Sequence, residues 1–161
     1  MTRSDVAALD ELRLLVVVDN ETDTLSGIAT FRASPSTACT TAIPARSCSD
    51  ERFVAARVRG RGTTVLSACS HAGMVNASLA AQTQLSEPID VVLDGYHLSG
   101  TAAMETRIEP TVRDLAERIR PRVVAPAHCT GWRAKSALAQ TFAPARYGPS
   151  VVGSLYTLRA S

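Results

Sequence analysis

Aromatic side chains are scarce in this chain, 4% of 161 residues, so its core must be assembled from Ala, Val, Leu and Ile. Such a core gains less per residue than one filled with rings. Lysine is almost absent: Lys135 is the one lysine among 17 basic residues. With 15 acidic residues opposing them, the net charge of +2 is too small to point to nucleic acid or an anionic membrane as a partner. Long apolar runs are missing as well. The run at 14–18 is stopped by Asp19, short of the roughly 18 residues of a spanning helix and the roughly 7 to 15 of a signal-peptide core. The expectation is a cytoplasmic protein whose cysteines, Cys39, Cys48, Cys69 and Cys129, are reduced thiols. No two of them form a Cys-x-x-Cys pair, which argues against a structural zinc knuckle.

What is present has the balance of a folded protein. With 45% hydrophobic and 20% charged residues the chain is neither disordered nor collagenous, and its length suits one domain over 1–161. Residues 12–19 read as a buried strand ending at the turn Asp19-Asn20. Residues 29–50 are dense in Ser, Thr, Ala and Pro and show neither helical nor strand periodicity, an irregular stretch unusual inside a compact domain. Beyond it, strands at 53–58 and 63–68 flank the turn Arg59-Gly60-Arg61-Gly62 as a hairpin. A helix at 73–85, a strand at 89–93 and a helix that starts at Pro110 and ends before Pro121 follow. The chain closes with a strand at 123–125, a helix at 134–142 and a strand at 151–158. Short aliphatic strands alternating with helices predict an α/β fold.

The chain has three histidines, and each follows the end of an expected strand by a few residues: His71, His97 and His128. Loops at the carboxyl ends of strands converge on one rim, where α/β proteins collect their reacting groups. A lone histidine there is more often a hydrogen-bonded structural residue. The coincidence of all of them, with Asp94 alongside, points instead to a metal or acid–base site. Ser70-His71-Ala72-Gly73 and His128-Cys129-Thr130-Gly131 share one layout, with glycine admitting close backbone approach. Cys69 and Cys129 adjoin these histidines in sequence; adjacent side chains usually point apart, so both read as small buried apolar groups.

These residues resemble motifs of a known superfamily. Val65-Leu66-Ser67-Ala68-Cys69-Ser70-His71-Ala72-Gly73-Met74-Val75-Asn76, Asp94-Gly95-Tyr96-His97-Leu98-Ser99-Gly100 and Ala125-Pro126-Ala127-His128-Cys129-Thr130-Gly131 are similar to successive motifs of metallo-β-lactamase-fold hydrolases. Together with Val16-Val17-Val18-Asp19-Asn20-Glu21-Thr22-Asp23, they resemble the branch that includes the dihydropterin-ribofuranosyl-aminobenzene phosphate synthase-like proteins. The resemblance implies an αββα sandwich with zinc in the groove between its sheets. It implies His71 and His128 as metal ligands, and Asp19 as a residue supporting the site from behind. Asp94 would be a further ligand or, with His97, a catalytic group acting on a small-molecule substrate.

One departure governs what to expect. The superfamily carries a His-x-His-x-Asp-His signature ahead of the third motif, whereas this chain has no histidine before His71, and residues 29–50 stand where the signature belongs. Two or three ligands make at best a weak, mononuclear zinc site, so the expectation is a hydrolase-like protein of weak or absent activity. A non-catalytic remnant that binds a small molecule is one alternative; a thiol enzyme using Cys129 near His128 is another. The lost block would leave the first half of the sandwich incomplete, with an apolar face that a homodimer would cover.

Overall fold

A computed structural model describes residues 8–15, 28–32 and 52–161. Its main sheet is built from β1 (Ala8–Leu9), β3 (Ile28–Arg32), β4 (Arg52–Val58), β5 (Gly62–Ser67), β6 (Ile89–Asp94) and β7 (Val123–Pro126). β3 and β1 both pair with β4, β3 antiparallel along its first part and β1 parallel at its end. The β4–β5 hairpin is antiparallel and turns through Gly60 and Gly62 at φ of 74° and 114°, values that suit glycine. β5, β6 and β7 then run parallel, joined by helical crossovers. A second, antiparallel sheet pairs β2 (Glu11–Leu15) with β8 (Leu155–Arg159).

Alternation along the strands divides the main sheet into two packed faces. Phe53, Ala55, Val65, Val92 and Val124 face the helices, where they meet α1 (Met74–Leu85), α3 (Ile108–Asp114, continuing as a π turn over Leu115–Ile119 and preceded by the short α2, Ala102–Glu105) and α4 (Trp132–Phe142). Ala56, Val58, Leu66, Val91, Leu93 and Ala125 face the other way and pack on Leu12 and Leu158 of the second sheet. The layers are thus helices, main sheet and second sheet. Among the described residues the second sheet has two strands. As anticipated, the cores are aliphatic; among the residues whose burial is described, Phe53, Tyr96 and Phe142 are the buried rings.

The expected strands and helices recur with shifted ends. The closing strand begins at Leu155 rather than 151, because Val151 to Ser154 form a turn closed by backbone and Ser154 hydroxyl bonds. The stretch expected to be irregular from 29 to 50 opens with a strand: Ile28–Arg32 pairs residue for residue with β4. Pairing to a central strand supplies there what local periodicity lacks. Residues 33–50 and Asp19 lie outside the described residues.

At the amino end of β6, away from the histidines, Asp90 is 6% exposed and receives Arg122 Nε at 2.8 Å and Arg61 Nε at 3.2 Å. Removing this carboxylate strands two partly exposed guanidinium groups. Asp90→Ala is expected to lose about 1–3 kcal/mol in a urea titration, the range for an orphaned charged hydrogen-bond partner. An unchanged midpoint would show the cluster to be ornamental.

Candidate metal and thiol site at the strand ends

Register fixes the site. Ser67, Asp94 and Pro126, the last residues of β5, β6 and β7, are cross-strand partners. The three loops therefore leave the sheet at one level, and backbone bonds hold them together. Gly95 N donates to Ser67 O (3.2 Å), Ala127 N to Asp94 O (2.9 Å) and Leu98 N to Cys129 O (2.9 Å). Tyr96, 1% exposed, anchors the middle loop through its hydroxyl, which donates to Val92 O at 2.9 Å.

All three histidine-bearing loops meet on this rim. The rings of His71 and His97 are in edge contact, with centroids 4.4 Å apart. His128 pairs with Asp94, Nδ1 to Oδ1 at 3.0 Å. Burial raises the Asp94 carboxyl above the ordinary carboxylate range, against the lowering pull of His128 beside it. His71 thus lies against His97, and His128 and Asp94 face each other. The group whose donor atoms all lie within 4.8 Å of one another is Cys69, His97 and Cys129.

The cysteines are where sequence reasoning fell short. Both are half-buried thiols, not enclosed apolar fillers. Cys69 Sγ lies 3.2 Å from Cys129 Sγ and 3.4 Å from His97 Nδ1, while the Cys129 thiol also points to Cys69 O at 3.7 Å. The thiol partner of Cys129 is thus Cys69. The signal available in the sequence was positional: each cysteine sits one or two residues from a histidine just past a strand end. Arg133, an exposed residue at the start of α4, stacks on Trp132 and pairs with Glu105.

Backbone conformation adds to the picture. Ser70, Asp94, His97 and Cys129 all have φ between 46° and 94°, a region L-residues avoid. Gly95 has the opposite constraint. A Cβ there would lie 2.7 Å from Ala68 O and 2.8 Å from both Cys129 Sγ and His128 Nε2. The bare backbone of Gly95 is therefore the floor on which the thiol pair and the Asp94–His128 pair adjoin.

No family model matches the chain and no curated protein matches it. Among solved structures it is similar to the crystal structure of a metal-dependent hydrolase of the beta-lactamase superfamily, with a TM-score of 0.68 and 21% identity over 89% of this chain. The chain spans 58% of that protein's length. Its fold is accordingly a mixed α/β, metallo-β-lactamase-like one.

Two outcomes follow from this geometry. Gly95→Ala forces a methyl group against backbone and sulfur and is expected to lose about 1–3 kcal/mol of stability, read by urea titration; a silent substitution would mean the loops do not close as described. The second concerns pH. An unfolded aspartate titrates near about 4, and folded Asp94 holds its proton to higher pH. The folded state therefore binds more protons across that window, and stability falls as pH rises through it. Asp94→Asn, always neutral, should gain on the wild type in paired urea titrations as pH is raised from about 4; a gap independent of pH contradicts this.

Proposed function

We propose that this protein is a hydrolase-like member of the metallo-β-lactamase superfamily with a reduced, mononuclear zinc site and weak turnover of a small-molecule substrate. On its sequence motifs it stands near the dihydropterin-ribofuranosyl-aminobenzene phosphate synthase-like branch. The observation that carries the reading is the convergence of Cys69, His97 and Cys129 on the strand-end rim of a fold shared with a metal-dependent hydrolase. Two sulfurs and one imidazole are soft donors of the kind zinc prefers, and three protein donors leave a position open. The donor set fits the metal. Zinc, when bound, supplies Lewis-acid polarisation of a substrate oxygen.

The flanking residues have roles of their own in this reading. Asp94 accepts from His128 Nδ1 and so presents its Nε2 towards the thiol pair across Gly95, oriented to move a proton. His71, exposed and lying against His97, holds that imidazole in place on its outer side. Backbone strain at His97 and Cys129 fits a site held in a set geometry by its surroundings. The assignment implied by the superfamily resemblance, with His71, His128 and Asp94 as ligands, has one specific support: a carboxylate behind a histidine is a common outer-shell arrangement for a metal-binding imidazole.

Metal analysis of reduced protein decides between these assignments. About one zinc per chain is expected, as in a mononuclear three-donor site, falling at least about tenfold in affinity in Cys69→Ser and Cys129→Ser, the loss typical of a damaged metal shell. His71→Ala and His128→Ala should keep the zinc but lower zinc-dependent hydrolysis of a panel of esters, phosphoesters and lactams. Zinc lost on the histidine substitutions and kept on the cysteine ones reverses the assignment. Zinc bound with no turnover of any class indicates a binding module instead.

A further inference from the structure

The two sulfurs that would hold a metal also face each other. Cys69 and Cys129 are 60 positions apart in sequence, yet their Sγ atoms lie 3.2 Å apart. A disulfide requires about 2.05 Å, so roughly one ångström of approach separates the thiol pair from a bond. Neither sulfur is enclosed, since both residues are half-buried at an open rim. Cys69 Sγ has an imidazole nitrogen, His97 Nδ1, at 3.4 Å. An attacking thiol thus has a proton acceptor and a second thiol beside it.

We propose that Cys69 and Cys129 form a reversible dithiol–disulfide couple, oxidised by a small-molecule disulfide, that opens and closes the metal site. In the first step Cys69 Sγ, its proton passing to His97 Nδ1, attacks one sulfur of R–S–S–R. The S–S bond of the reagent breaks, a mixed disulfide forms on Cys69, and one RS⁻ leaves and takes the proton. Cys129 Sγ then attacks the Cys69 sulfur, the mixed disulfide breaks, and the second RS⁻ leaves with the Cys129 proton. In sum the two thiols are oxidised to one disulfide and R–S–S–R is reduced to two R–SH. The attack by a thiolate through a mixed disulfide is the ordinary course of such exchange.

Closing this bond removes two of the three grouped donors, leaving His97 alone. Thiolate ligation and disulfide formation are mutually exclusive at the same sulfurs, so metal-loaded protein resists the oxidant and oxidised protein does not take up metal. This control of zinc rests on the metal assignment proposed above; the cross-link itself does not.

The test uses the full chain, freed of metal, incubated with oxidised glutathione and mapped by trypsin under non-reducing conditions. The sequence places Cys69 in the fragment 62–107 and Cys129 in 123–133, separate from the fragments holding Cys39 and Cys48. The expected result is a cross-link joining 62–107 to 123–133 within a monomer, with both thiols lost and both restored by dithiothreitol. Cys129→Ser should stop at a glutathione adduct on Cys69, a result that also reports the order of attack. Stable glutathione adducts on both wild-type cysteines, or thiols that stay free in folded protein, overturn the couple. Zinc added before the oxidant should suppress the cross-link, and oxidised protein should lose its zinc uptake. A cross-link formed in protein that binds no zinc in either state keeps the couple and removes the metal assignment; zinc taken up without any cross-link does the reverse.

Discussion

Everything at the candidate site depends on one constraint, the parallel register of β5, β6 and β7. Because Ser67, Asp94 and Pro126 are aligned across the sheet, three loops far apart in sequence start side by side. Hydrogen bonds between these loops, Ala127 N to Asp94 O and Leu98 N to Cys129 O among them, then convert a shared starting line into a fixed constellation. Sheet packing secures the register itself. Val91 and Leu93 face the second sheet while Val92 faces the helices, so a slip of one residue would turn each side chain towards the wrong core.

Two distinct chemistries are seated on that platform. One half, Asp94 with His128, is a carboxylate and an imidazole, in which burial and charge pull the carboxyl in opposite directions. The other, Cys69 with Cys129 and His97, is a soft donor group with redox chemistry available. Gly95 separates them by no more than a backbone. The structural similarity to a metal-dependent hydrolase gives the fold; the grouping of two cysteines with His97 is read from this chain's own rim.

Much of the fold was legible in the sequence because the strands from Arg52 onward are aliphatic, short and bounded by Gly, Pro or Asp. The hairpin, the α1 and α4 helices and the β6 and β7 strands come directly from such signals. β3 did not, since Ile28–Arg32 is a strand by virtue of its neighbour β4 and not of its own pattern. At the site, the placement of the histidines after strand ends was readable, and the carboxylate beside them too. The thiol pair was not, because the comparison of each cysteine with its sequence neighbour is the wrong one. Cys69 and Cys129, 60 positions apart, meet across two loops, a relation that only the sheet register creates.

The left-handed residues of the rim bear on which side chains can be kept there. Ser70, Asp94, His97 and Cys129 each sit in a conformation that glycine adopts freely and that disfavours an L-residue by about 1 kcal/mol or more. Summed, that is a sizeable share of the roughly 5–15 kcal/mol by which a domain outweighs its unfolded state. Glycine there would relieve the backbone but give up the side chain and add freedom to the unfolded chain, so the strained residues His97 and Cys129 are kept at little net cost relative to glycine while their chemistry stays in place.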